Sequence, residues 1–317
     1  MERKISFIGA AIFLAVILFC NEARAVKKIG VLMFSDETRY VEATKGITDK
    51  LADMGFGEPK VSFMVEKAGA NKARAGELVH RYSAAKLDLI VTLGTSSTVA
   101  VSREIKDVPI VFSVVYDPVD AGIAKAWKSS GNNTTGTSPK IPMSKPLEAL
   151  GTFARAKRLA VLYTPGEKNS ESQLKDLLAV QGNQKIIPVR FTRAEEVEQL
   201  LPEVLRTTDA LYITGSNLVN SQIGPITDMA AKAGVITVTH LEDLVTKGVL
   251  LGVCSNPYSE GQLAGEKAVK ILKGTKPSAI PIETVKKSDV VLNMKSAKKG
   301  KFQISQDFMK TVTKVLE

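Results

Sequence analysis

Short β-branched runs alternate with amphipathic stretches of helical period along most of this chain, and that order admits few folds. The runs Lys28–Phe34, Lys60–Val65, Leu87–Leu93, Val108–Val115 and Arg158–Tyr163 read as strands. So do Lys185–Arg190, Ala210–Thr214, Val235–Thr239, Val249–Val253 and Val290–Asn293. Between them Glu37–Met54, Asn71–Ala84, Ser97–Ile105, Ser144–Ala154 and Ser170–Val180 read as helices. Glu195–Leu205, Gln222–Ala233, Leu241–Thr246 and Ser259–Leu272 complete that set. Strand–helix–strand repetition predicts parallel sheets with right-handed crossovers and helices on both faces.

Two sheets accommodate this many strands better than one. The pattern breaks at Ser129–Pro142, where Thr134–Ser138 is a candidate crossing between lobes. Gly252–Pro257 is a second crossing, and Pro277–Pro281 with the segment after it is a third. Connections this short make a hinge rather than a loose linker. The predicted class is α/β, with two doubly wound parallel-sheet lobes joined by a three-segment hinge. The expected lobes are residues 26–138 with 255–282, and 139–254 with 283–317.

The first 25 residues stand apart from this pattern. Arg3 and Lys4 precede an apolar run from Ile8 to Cys20, and Ala23-Arg24-Ala25 ends it with small-x-small spacing. The run is too short for a bilayer span, which needs about 20 residues. Met1–Ala25 is therefore expected to be an export signal, and the mature protein to be periplasmic. Phe19 argues against lipoprotein anchoring through Cys20, since such sites want a small residue there. Once the signal is gone Cys254 is alone, so no intrachain disulfide is expected. What remains suits two domains of about 150 residues each.

The formal charge of +10 raises the question of nucleic-acid binding. The lysines are scattered, and an exported protein meets no genome. The one dense group, Lys295, Lys298, Lys299 and Lys301, reads as a solvated face. Catalytic patterns are absent: no His-Glu-x-x-His, no Gly-x-Ser-x-Gly and no phosphate-binding glycine loop occurs. With only His80 and His240, a two-histidine metal site is not expected. Ser83-x-x-Lys86 and Ser172-x-x-Lys175 lie on amphipathic helices, where such spacing arises by chance. No catalysis, no metal and no cofactor are expected.

In doubly wound sheets ligands bind beyond the carboxyl ends of the strands. Ser35 and Asp36 follow the first strand, Thr95, Ser96 and Ser97 the third, and Tyr116 and Asp117 the fourth. In the second lobe the matching positions are Tyr163 and Thr164, Ser216 and Asn217, and His240. Gly94–Ser97 opens a helix, so its free N–H groups favour an anion such as a carboxylate, and ordinary N-capping by Ser96 or Ser97 is the competing reading. Asp117 either holds an ammonium or caps the turn at Pro118, and His240 is either a ligand contact or a structural residue. Ser170-x-x-Gln173 reads as a capping box.

With those residues in view, the chain resembles the tryptophan/tyrosine-type ABC transporter substrate-binding proteins, a periplasmic-binding-protein family. The likeness rests on Leu93-Gly94-Thr95, on Val108-Pro109-Ile110-Val111-Phe112 leading to Asp117-Pro118-Val119, and on Gly131–Gly136. Asn169-Ser170-x-x-Gln173, Gly261-x-x-Ala264-Gly265 and Ile271-Leu272-Lys273-Gly274-x-x-Pro277 extend it. The resemblance implies a type I binding-protein fold whose cleft takes a small ligand, often an aromatic amino acid. It also implies delivery to an ABC permease driven by a separate cytoplasmic ATPase; a monomer is expected. The alternative is a sensory module presenting its ligand to a membrane receptor or sensor kinase. One departure matters: many relatives carry Asp-Asn where this chain has Ser216-Asn217. That leaves Asp117 or Asp36 to meet an ammonium.

Overall fold

A computed structural model of the chain describes residues 26–317, and the expected signal at Met1–Ala25, with Cys20, lies outside the described residues. The first half runs β1 (Lys27–Met33), α1 (Thr38–Asp53), β2 (Val61–Lys67), α2 (Lys72–Ala84), β3 (Leu89–Leu93), α3 (Thr95–Glu104), β4 (Ile110–Ser113) and β5 (Thr134–Ser138). Next come α4 (Ser144–Phe153), β6 (Arg158–Tyr163), α5 (Lys168–Ala179), β7 (Lys185–Arg190), α6 (Glu195–Thr207), β8 (Ala210–Ile213), α7 (Asn217–Ser221), α8 (Ile223–Lys232) and β9 (Ile236–Thr239). The chain closes with α9 (Glu242–Thr246), β10 (Leu251–Cys254), α10 (Pro257–Leu272), β11 (Glu283–Thr284), β12 (Asp289–Asn293), α11 (Met294–Lys299), α12 (Gln306–Met309) and β13 (Lys314–Leu316).

These strands form two sheets, ordered β11-β5-β4-β3-β1-β2 and β13-β12-β10-β9-β8-β6-β7. Each contains the same winding, β2-β1-β3-β4-β5 in one and β7-β6-β8-β9-β10 in the other. Strand order therefore reverses beside β1 and beside β6, which sets the crevice where such sheets take ligands. Every residue of β3, β4, β8, β9 and β10 is buried. Parallel strands covered on both faces need such unbroken runs. Cys254 lies in this interior against Val245 and Val291, and burial pushes its thiol well above the ordinary range. No described helix is long and apolar enough to cross a membrane.

Four expectations need correction. The C-terminal sheet is not wholly parallel, because β12 runs antiparallel to β10. Its reason is the hinge: β10 leaves at the cleft end and β12 re-enters from there, so it must run back. The expected lobe limit at 282 falls short, since Glu283 and Thr284 pair with Thr137 and Ser138 in the N-terminal sheet. Buried Lys267 holds that strand, donating to Pro281 O at 2.7 Å. Thr134–Ser138 is itself a strand, although it also leads into the first crossing. Finally, α5 begins at Lys168 rather than Ser170, so no capping box exists; the Ser170 hydroxyl instead bonds Thr164 O and Glu167 O, both at 3.1 Å.

Helix α10 starts just after the second crossing and lies tightly on α1. A Cβ at Gly261 would sit 2.0 Å from Ala43 O, and one at Gly46 2.2 Å from Tyr258 O. Only glycine permits that approach, and it fixes where α1 presents its first turn to the other lobe.

Candidate functional site

The lobes meet along the carboxyl ends of both sheets. Arg39, in the first turn of α1, donates from Nη1 to Asp243 Oδ2 of α9 at 2.8 Å, and both side chains are buried. Its other nitrogen bonds Glu37, and its guanidinium lies 5.1 Å from the Tyr40 ring centre. Burial works against the Arg39 charge, but Asp243 and then Glu37 outweigh it and raise its pKa. A second tie joins Tyr116 OH to Asp176 Oδ2 of α5 at 2.8 Å.

Between these ties lie two small cavities. One of about 20 Å³ is walled by Tyr40, Thr95 and Tyr116 from one side and by Asn169, Gln173 and His240 from the other. Its neighbour of about 10 Å³ shares Arg39, Val114 and His240 and adds Asp243 and Glu260. Each has room for little more than a water-sized group. A larger chamber of about 290 Å³ opens beside the first, lined by Thr95, Ser96, Lys72, Arg103 and Lys168.

Elements position these groups for local reasons. Gly94 enters α3 at φ 94°, and a Cβ there would lie 2.7 Å from Tyr40 OH, so glycine alone lets the loop pass the tyrosine. Val114 takes φ 57°, a strained value for a β-branched residue. The Glu260 carboxylate of α10 holds it there, accepting from Val114 N at 2.7 Å and from Ser113 Oγ at 3.2 Å. Burial, opposed by these bonds, lifts the Glu260 pKa to about 7. His240 Nδ1 bonds Tyr212 OH at 2.9 Å, and the Tyr116 ring meets the imidazole edge-on at 5.4 Å. Burial, with Arg39 nearby, lowers the His240 pKa to about 3, so the ring is neutral.

Of the residues singled out from sequence, Thr95, Tyr116 and His240 come together on the cavity wall, and Ser96 reaches the larger chamber. Others are engaged elsewhere. Ser97 donates to Leu93 O and Gly94 O, at 2.7 and 3.0 Å. Asp117 caps its turn through Val119 N and Asp120 N and pairs with Lys140 at 2.7 Å, the geometry of the turn-capping role. Thr164 and Ser216 share a hydroxyl bond of 2.6 Å, and Ser216 also caps α7. Asn217 binds Glu167 Oε2 through its backbone N–H at 2.6 Å. Ser35 bonds Glu37, Asp36 is exposed, and Tyr163 packs on the second core. Among the described residues no cluster of His, Cys, Asp and Glu is arranged to hold a metal.

Sequence reasoning missed Arg39, Asn169, Gln173, Asp243 and Glu260. Gln173 accepts from Gly215 N at 2.7 Å and Asn169 donates to Gly215 O, so together they fix the loop after β8. The sequence pattern Ser170-x-x-Gln173 matches a capping box, which hides the role of Gln173. The charged residues lie inside helices, where a lone charge resembles a solvated face.

Residues 28–316 match the family described as ABC transporter substrate binding protein. A curated relative, the tyrosine-binding protein of Clostridioides difficile (strain R20291), is 27% identical over 278 residues, 86% of this chain and 80% of that protein. Among solved structures the fold is similar to an ABC domain from Streptococcus pneumonia in complex with L-Trp, at 23% identity and TM-score 0.86, covering 92% of this chain and 99% of that one. It is also similar to a ligand-free, open substrate-binding protein with adhesive properties from Clostridium difficile, at 28% identity and TM-score 0.73 over the same shares.

Proposed function

We propose, from the premise that this chain belongs to the ABC transporter substrate-binding protein family and has a type I periplasmic-binding-protein fold, that it traps a small carboxylate-bearing ligand between its lobes. An aromatic amino acid is the first candidate, because one relative is named for tyrosine and a structural neighbour holds L-Trp. The observation that carries the reading is a wall shared by both lobes, with buried polar groups of each facing one small space.

In this reading the ligand carboxylate meets Thr95 and Ser96, where the first N–H groups of α3 and the charges of Lys72, Arg103 and Lys168 favour an anion. Tyr40 and Tyr116 supply aromatic surface. The protein is exported by Met1–Ala25, acts in the periplasm as a monomer, leaves its ligand chemically unchanged, and hands it to an ABC permease driven by a separate ATPase. Its lobes are residues 26–138 with 255–284, and 139–254 with 285–317.

A thermal-shift screen of the mature protein tests this. Aromatic L-amino acids at saturating concentration should raise Tm by several degrees, since ligand at about 100 times Kd adds about 2.7 kcal/mol. The rise should vanish in a Thr95→Leu/Ser96→Leu double variant that melts like the parent without ligand. An unchanged rise in that variant removes the carboxylate assignment.

A further inference from the structure

We infer that the smaller inter-lobe cavity is an amine subsite, in which Asp243 and Glu260 grip the ammonium group of the ligand from opposite lobes. This rests on the cleft reading above and adds the demand that the ligand carry a protonated amine.

Four observations converge on it. Asp243 is 3% exposed and uses Oδ2 for Arg39, while Oδ1 has no partner among the described residues. His240 is 1% exposed, and its Nε2 is likewise unpartnered while Nδ1 is tied to Tyr212. Glu260, also 1% exposed, takes its three hydrogen bonds on Oε1 alone, from Val114, Ser113 and Thr137. All three side chains line the same cavity of about 10 Å³. Asp243 Oδ1 is a buried acceptor without a donor, which is costly, so a donor-bearing group belongs there.

Charge decides which group. The only cation on that wall is Arg39, already shared between Asp243 and Glu37. An anion entering would face three carboxyl groups, those of Glu242, Asp243 and Glu260, with no free cation to meet it. An ammonium brings three N–H donors, a positive charge, and roughly the bulk of one water. Burial raises the Glu260 pKa to about 7, so the group is about half ionised at neutral pH, and a buried cation beside it would draw it further into its charged form. Ser216, whose position offered a place for an acid, is committed to Thr164 and the α7 cap. The charge the ligand needs therefore comes from α9 and α10 instead. The adjoining cavity leads from this point toward Thr95, so amine and carboxylate would be read on either side of Arg39.

Calorimetry on the mature protein at neutral pH tests the subsite with L-tryptophan, L-tyrosine and their des-amino counterparts, indole-3-propionate and 3-(4-hydroxyphenyl)propionate. At least one amino acid should bind, and its des-amino partner should be weaker by about 100-fold or more, because a site built around hydrogen bonds rejects a ligand that leaves them unmade. Glu260→Gln keeps an oxygen for Val114 and should fold. It should weaken amino-acid binding by about tenfold while leaving the feeble des-amino binding as it was. Equal affinity for acid and amino acid overturns the amine subsite and leaves the cleft reading standing. So does a folded Glu260→Gln variant with parental affinity. Binding of none of the four overturns both the subsite and the aromatic amino-acid reading.

Discussion

Glu260 carries a carboxyl group that folding makes hard to ionise, and this has a measurable pH signature. Its pKa rises from 4.5 to about 7, chiefly by burial. The folded chain then keeps a proton that the unfolded chain gives up. That contribution is full below pH 4.5 and fades as pH climbs through the folded value near 7. The loss amounts to about 3 kcal/mol, at 1.36 kcal/mol for each pKa unit. His240 works in the opposite sense: lowered from 6.5 to about 3, it supports the fold above pH 6.5 and withdraws that support as pH falls. Urea unfolding between pH 5 and 8 should show the parent losing stability relative to Glu260→Gln as pH rises; parallel curves would refute the assignment. At this scale the sequence was only partly readable. Thr95, Tyr116 and His240 could be found because they follow strands, where the fold class directs attention. Arg39, Asp243 and Glu260 could not: the first two lie 204 positions apart on helices of different lobes, and Glu260 of α10 meets the end of β4 from 146 positions away within one lobe.

Helices α1 and α10 depend on glycines that let one backbone touch the other. In Gly261→Ala the new methyl would press on Ala43 O, and neither backbone can yield cheaply. Overpacking of this kind costs about 3 kcal/mol, and the displaced α1 would carry Arg39 away from Asp243. Urea unfolding should therefore report a lower midpoint, and calorimetry a weaker ligand. A midpoint equal to the parent's would mean that the helices have slack. Long elements with clear period were legible from the residues, and α1, α2, α6 and α10 emerged close to their expected limits. Strand β5 was not legible as a strand, because Thr134, Thr135, Thr137 and Ser138 are polar yet buried. Their hydroxyls replace apolar contacts with bonds to Ser113, Tyr116 and Ile280, which no hydropathy pattern reveals. Strands β11 and β13 span two and three residues, below the length at which alternation can be seen.

Across the whole molecule, the Arg39–Asp243 pair is formed only when the lobes are together. Removing one member of a buried pair strands the other at a cost of about 3–5 kcal/mol. Arg39→Gln should therefore shift the lobes apart without unfolding either core. Small-angle scattering should record a larger radius of gyration than the parent, with far-UV circular dichroism unchanged. A radius equal to the parent's would show that the other inter-lobe contacts suffice. The two-sheet architecture was readable because strand and helix alternate so regularly and the breaks fall where the chain changes sheets. The reversed direction of β12 was hidden, since it depends on which end of the sheet the returning chain reaches.

Cys254 offers a last consequence, since its thiol is sealed in the interior and disfavours the reactive thiolate. Maleimide dyes should ignore it in a chain prepared from residue 26 onward, which lacks Cys20. Cysteines substituted for Lys72 and Lys168, on facing rims of the larger chamber, would then be the sole labelling points. Energy transfer between two fluorophores attached there would follow each breath of the molecule in real time, one copy at a time.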